Sequence, residues 1–267
     1  MNEGALELID ADAPAVDHLN VQVIPLPASG RTLALAQNPD RNEGSEPGLD
    51  VLVAIDALRR LDKVTVDARQ DETLSEIGRK KRLESERPRA VQVVGRCWQN
   101  VEVEQGEVAK RVAELYAIPP IDPTDAAAAS IDREIREYAR SLIGEDRSKF
   151  IRSLGDPEHQ RVALALCRSP VSCGIFEPVA KDAWRRAVEL DHPAEVAQLQ
   201  AEQASVQWAR VVLARCATLV AETAGLDRKQ IIGALLGEKE LSAGAHRAFG
   251  IADADWKASA RAAGAQK

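Results

Sequence analysis

Aromatic residues are scarce in this chain: Phe, Trp and Tyr make up 3% of its 267 residues, and there is a single Met. That poverty argues against a thick core filled by large rings. Cysteine is rare too, with four residues, Cys97, Cys167, Cys173 and Cys216, and no C-x2-C pair among them. Buried free thiols are therefore preferred over metal or redox use. Uncharged runs such as His18 to Gly30 are interrupted by proline and fall short of the ~20 residues that cross a bilayer, so no membrane contact is expected. Met1-Asn-Glu-Gly has no basic segment leading into an apolar one, and no secretory leader is expected.

Signatures of chemistry are missing as well. His18, His159, His192 and His246 show neither H-x3-H nor H-E-x-x-H spacing. Ser29-Gly30-Arg31-Thr32 has only the tail of a phosphate-binding loop, without the G-x4-G-K-[ST] spacing. No G-x-S-x-G, EF-hand or G-x-G-x-x-G pattern occurs. The sequence thus nominates no catalytic, cofactor-binding or metal-ligating residue and implies no cofactor. The net charge of −7 and pI near 5.3 disfavour nucleic acid as a partner, because that affinity rests on Lys and Arg neutralising phosphates.

What is present is Ala, Val and Leu within a 45% hydrophobic content, alongside 29% charged residues. That mixture favours long amphipathic helices with narrow apolar stripes. The clearest stripe is Val91, Val94, Trp98, Val101, Gln105, Val108, Val112 and Leu115, in alternating steps of three and four. A strand reading competes, since Val91 and Val93, and Val101 and Val103, alternate and Gly95 and Gly106 punctuate the run. The three-four spacing persists far longer, so helix is favoured. A second ladder, Val196, Leu199, Gln203, Val206, Arg210, Leu213, Ala217 and Val220, lies in the segment from Ala194 to Ala224 and is the natural partner of the first. Gln105 and Arg210 are the weak rungs: a correct pairing puts them at an edge or in hydrogen bonds.

The other elements follow from punctuation. Val21 and Val23 alternate and Pro25 and Pro27 bracket Leu26, which reads as an edge strand or an extended arm. Asn38 to Gly48 reads as an exposed loop. Asp50 is expected to cap a helix through Leu61, and Asp67 to Glu86 to continue as helix up to a kink or one-turn break at Pro88. After the Pro119–Pro123 elbow, Asp122 or Thr124 should cap a helix whose buried stripe is Ile131, Ile135, Tyr138 and Leu142, stopped by Gly144. Asp132–Arg136 and Glu137–Arg140 are expected as intrahelical pairs. Short helices should span Ser148 to Leu154, begin at Asp156-Pro157, and run from Glu177 to about Leu190 with Val179, Trp184 and Val188 inward; a last one covers Asp227 to Leu236. The expected architecture is mainly α, an elongated helical bundle or hairpin with an extended N-terminal arm. Its regions are residues 1–49 (arm and Gly/Pro-rich loop), 50–236 (helical domain) and 237–267 (small, frayed C-terminal region).

Residues nominated for interaction are Val21, Val23, Ile24 and Leu26 in the arm, and Trp98, Trp208 and Trp256 as interface anchors. The plainer reading of Trp98, Trp184 and Trp208 is core. Arg79, Lys80, Lys81 and Arg82 form a basic run flanked by Glu76, Glu84 and Glu86, so ion pairing on a solvated face is preferred over a nucleic-acid patch.

Thr73-Leu-Ser-Glu-Ile-Gly-Arg-Lys-Lys-Arg-Leu-Glu-Ser-Glu-Arg87, Pro119-Pro-Ile-Asp-Pro-Thr-Asp125 and Asp156-Pro-Glu-His-Gln-Arg-Val-Ala-Leu-Ala-Leu-Cys-Arg-Ser-Pro170 follow one another as long helix, Pro-rich elbow and short helix ending at proline. Over about residues 67 to 224 the chain thereby resembles helical minor virion proteins of tailed bacteriophages. The resemblance implies a non-enzymatic structural component docked on capsid, portal or tail subunits as a homo- or hetero-oligomer, located in the virion or, during assembly, in the cytoplasm of the host bacterium. Two alternatives remain open. One is an intracellular helical enzyme or ligand-binding protein with a site assembled from non-adjacent residues; the other is a nucleic-acid-associated scaffold using Arg79 to Arg82.

Overall fold

The computed structural model describes residues 21–27, 31–36, 46–154 and 156–224. The expected helix at Asp227 to Leu236, Trp256 and the C-terminal region lie outside them. Among the described residues the chain is mainly helical, with packed helix–helix contacts and one antiparallel hairpin. It divides into two compact units, Met1–Gly106 with Ala201–Lys267, and Glu107–Gln200. Both boundaries fall inside long helices.

In the first unit, strands β1 (Val21–Leu26) and β2 (Arg31–Ala36) pair with Ile24 opposite Leu33 and Gln22 opposite Leu35. Period-two alternation puts Ile24, Leu26, Leu33 and Leu35 on one face, and all four are buried, while Pro25 on the other face is exposed. Helix α1 (Glu46–Gln70) starts one turn earlier than its sequence suggests. Pro47 suits that first turn, where an N–H has no helical partner, and Asp50 is not a cap: its carboxylate accepts from Asn100 Nδ2 at 3.0 Å. Val51, Ala54, Ile55, Leu58 and Leu61 form the buried side of α1.

Continuous helix from Asp67 to Glu86 does not occur. The chain breaks at Asp71, whose carboxylate accepts from the Thr73 N–H (3.0 Å) and hydroxyl (2.5 Å), and Ser75 Oγ then accepts from Gly78 N at 3.2 Å to cap α2 (Glu76–Leu115). No one-turn break follows at Pro88; α2 runs through it. Val101 is 1% exposed and Val103 68%, which a strand face shared by both would not allow, so the three-four ladder prevails. Helix α8 (Pro193–Ala224) lies beside α2 within this unit. Arg210 Nε donates to Glu102 Oε1 at 2.8 Å, and its guanidinium sits 5.8 Å from the Trp98 ring centroid. Cys216 and Cys97 are electrostatic neighbours, so the two helices run antiparallel here. From Val212 to Ala221 almost every side of α8 is buried, broader than one stripe, because small residues such as Ala214 and Ala217 let neighbours approach all round.

The second unit contains α3 (Ala126–Ser141), α4 (Gly144–Ser153), a 3₁₀ turn at Pro157–His159, α5 (Gln160–Arg168), α6 (Pro170–Cys173) and α7 (Glu177–Asp191). Asp125 caps α3 by accepting from Ala128 N at 2.8 Å; Asp122 and Thr124 instead close the preceding turn, with the Asp122 carboxylate accepting from Thr124 N and Oγ1. Gly144 adopts φ 56° and opens α4 directly. Helix α5 packs against α3 and α7, around a core of Ala139, Leu154, Ala163, Leu166, Ala180 and Ala183. On α7, Val188 is buried while Val179 and Trp184 are half-buried, Trp184 donating from Nε1 to the Tyr116 carbonyl at 3.1 Å.

The stripe expected on α3 is corrected. Ile131 and Tyr138 are exposed, and the fully buried residues are Asp132 and Ala139. The inward face is Ala128, Asp132, Ile135 and Ala139, spaced by four, three and four, and its centre is a carboxylate that apolar periodicity passes over.

Candidate functional site

Asp132 is held by two arginines of α5 that lie seven residues, about two turns, apart on one face. Arg168 Nη1 donates to Oδ2 at 2.8 Å, and Arg161 Nη2 stands 2.6 Å from Oδ1 as an ion-pair contact without aligned hydrogen-bond geometry. Arg161 also donates to the Ala128 carbonyl, and Arg168 to the carbonyls of Pro119 (2.8 Å) and Pro120 (3.5 Å). Two prolines offer no N–H but free carbonyls, so the elbow fastens to the end of α5 by acceptors alone. The Asp132–Arg136 pair expected from sequence does not form; Arg136 Nη1 donates to the Ala165 carbonyl at 3.4 Å.

Ile135 of the inward face of α3 also lines an open groove of about 770 Å³. One wall is Glu134, Ile135 and Tyr138 of α3 with Leu142 just past its end; the other is Asp146, Lys149, Phe150 and Ser153 of α4, and His159 and Val162 complete the lining. Spacings of three and four put each set on one helix face. The Tyr138 and Phe150 rings meet edge to face, 5.8 Å between centroids at 82°. Ser153 Oγ donates to the Phe150 carbonyl at 2.9 Å, and Lys149 Nζ pairs with Glu145 at 3.0 Å. His159 Nδ1 is 3.9 Å from Asp156. The groove therefore presents an apolar floor with a charged margin, and its serine hydroxyl is committed to a neighbouring carbonyl. None of these residues is among those nominated for interaction; Ile135, Tyr138 and Leu142 belong to the stripe expected to be buried, and the groove draws its lining from separate elements.

None of the nominated residues lines this groove. Ile24 and Leu26 are buried in the hairpin, where Val21 and Val23 belong to β1. Trp98 is buried beneath Arg210, and Trp208 is half-buried. In the basic run, Arg79 Nη2 donates to the Asp71 carbonyl at 3.2 Å and Arg82 lies 3.7 Å from the Asp71 carboxylate, whereas Lys80 and Lys81 are exposed. The acid that engages this run is thus Asp71 in the preceding turn, ahead of the flanking glutamates.

All four cysteines are free and buried. Burial pushes the Cys97 and Cys216 thiols up to about 12 and Cys167 to about 11, with the Asp50 carboxylate adding to the rise at Cys97. Thiols so shifted are poor nucleophiles and poor ligands at neutral pH. Among the described residues no group of three or more His, Cys, Asp or Glu is arranged to hold a metal ion, and no helix is long and apolar enough to cross a membrane. No protein family, curated protein or solved structure matches the chain.

Proposed function

We propose that this chain is a non-enzymatic structural component of a larger protein assembly, of the kind that the resemblance to minor virion proteins of tailed phages implies. The observation that carries this reading is the outward side of α1. Leu49, Leu52 and Val53, at i, i+3 and i+4, are each about half-exposed, on a helix whose opposite side is buried. Isolated exposed leucines are ordinary, but three adjoining apolar side chains on one helix face form a patch suited to another protein subunit. Partners of capsid, portal or tail type, in the virion or in the host cytoplasm during assembly, fit this reading. The nucleic-acid alternative is weakened by Asp71, which draws on two of the four basic residues in the run.

Light scattering after size exclusion, with and without candidate phage particles, tests the proposal. Co-elution with a particle, lost in a Leu49→Lys/Val53→Lys variant that retains its circular dichroism, is the expected result. A compact monomer that joins no particle would overturn it.

A further inference from the structure

We propose that the groove between α3 and α4 docks an amphipathic helix of a partner protein, with apolar side chains toward the floor and Lys or Arg along its margins. This rests on the assembly reading and adds to it a second surface and the chemistry of what that surface accepts. The groove is bounded by two helical ridges, Ile135 and Tyr138 of α3, extended by Leu142 at its C-terminal end, on one side and Asp146, Lys149 and Phe150 of α4 on the other. A third helix seats naturally between two such ridges, whereas a small ligand requires a site that encloses most of its surface. Tyr138 is 58% exposed, yet its ring is braced edge-on against Phe150, so an anchor is already in place before a partner arrives.

Charge selects the partner. Lys149 is paired with Glu145, and His159 faces Asp156. Glu134 and Asp146 form no ion pair among the described residues, which leaves the margin with two uncompensated carboxylates. A cationic helix gains from both, and an acidic helix, a nucleic acid or an anionic membrane is repelled.

Two labelled designed peptides test this against the full chain by fluorescence anisotropy. One carries Leu at i, i+3, i+4 and i+7 with Lys elsewhere; the other replaces each Lys by Glu. The Leu/Lys peptide is expected to bind, with the Leu/Glu peptide weaker by about tenfold. Glu134→Lys/Asp146→Lys should weaken the Leu/Lys peptide by about tenfold and strengthen the Leu/Glu peptide. Tyr138→Ser should weaken both by roughly threefold, since it removes an exposed anchor and leaves the core intact. Equal binding of the two peptides, binding unaffected by the charge reversal, or saturable binding of an alkyltrimethylammonium probe without binding of either peptide would overturn the proposal. A chain that binds the Leu/Lys peptide as expected yet joins no particle removes the assembly reading alone; one that joins particles but does not bind the peptide removes the groove alone.

Discussion

Arg168 and Asp132 form a hydrogen-bonded ion pair at 2.8 Å, and the carboxylate it serves has no exposed surface. Removing Arg168 takes away the carboxylate's aligned donor and leaves it the more exposed Arg161, whereas removing Asp132 and Arg168 together leaves no buried carboxylate to pair. Arg168→Ala and Asp132→Ala should each lower stability by about 3 kcal/mol. Arg161 is far more exposed at its outer end, so Arg161→Ala should cost under about 1 kcal/mol despite its short contact. Asp132→Leu combined with Arg168→Met should recover most of the loss. Urea unfolding followed by circular dichroism measures all four, and equal losses for Arg161→Ala and Arg168→Ala would contradict the assigned roles.

In the first unit, Arg210 is 3% exposed and depends on Glu102, which is itself about one-third exposed. Water can partly replace Glu102, so Glu102→Ala should cost less than loss of a fully buried partner, about 2 kcal/mol. Arg210→Met removes the charge and keeps contact with Trp98, and should cost under about 1 kcal/mol. Because Arg210 lies over the Trp98 ring, both variants should alter tryptophan emission. Thermal melts and fluorescence check the ordering, which a larger loss for Arg210→Met would reverse.

Two Asp-x-Thr turns make the same electrostatic arrangement. The Thr73 hydroxyl and N–H hold Asp71 below the ordinary carboxylate range, helped by Arg82 and Arg79; Thr124 does the same for Asp122. With the folded-state value depressed, the stabilisation is fully present above the unfolded-state carboxylate pKa and is lost as pH falls through the folded value. Thr73→Val and Thr124→Val remove the hydroxyl donor and keep the N–H, so each should raise its aspartate part of the way toward the ordinary value. Carboxyl carbon NMR titration reads this directly, and an unmoved midpoint in either variant would show that the hydroxyl contributes nothing.

The long helices were legible in the sequence because burial in α2 follows apolar spacing, and Arg210, a weak rung, is hydrogen-bonded within the seam as a correct pairing requires. The inward face of α3 was not, because its centre is Asp132, whose burial depends on arginines some thirty residues later. Its signal was an acid among Ala128, Ile135 and Ala139 at helical spacing, visible only if charge is allowed inside. Cap positions slipped for a related reason: Asp122, Thr124 and Asp125 all carry a side-chain oxygen able to cap, and the turn uses Asp122 as acceptor and Thr124 as donor, leaving Asp125 for the helix. The groove assembles from α3, α4, the 3₁₀ turn and α5, so only their packing brings Asp146 to the surface that Glu134 and Tyr138 share.

Pro88 and Gly106 are two of the residues in helix α2 that oppose its own propensity. Pro88 lies inside the helix without an N–H, so the Glu84 carbonyl has no helical donor four residues on. Gly106 is also interior and exposed, and a methyl group added there would meet open space. Pro88→Ala should stabilise the chain by about 1–3 kcal/mol, the lower part of that range applying if water already satisfies the exposed carbonyl. Gly106→Ala should add about 0.5–1 kcal/mol, because the helical geometry is one alanine adopts without strain and its unfolded chain has less freedom to lose. The two sites are eighteen residues, roughly 27 Å, apart along the helix, so their effects should sum in the double variant. Urea midpoints of the two single variants and the double variant decide the matter. A Pro88→Ala variant no more stable than the parent would mean that the surrounding packing already compensates the proline in full.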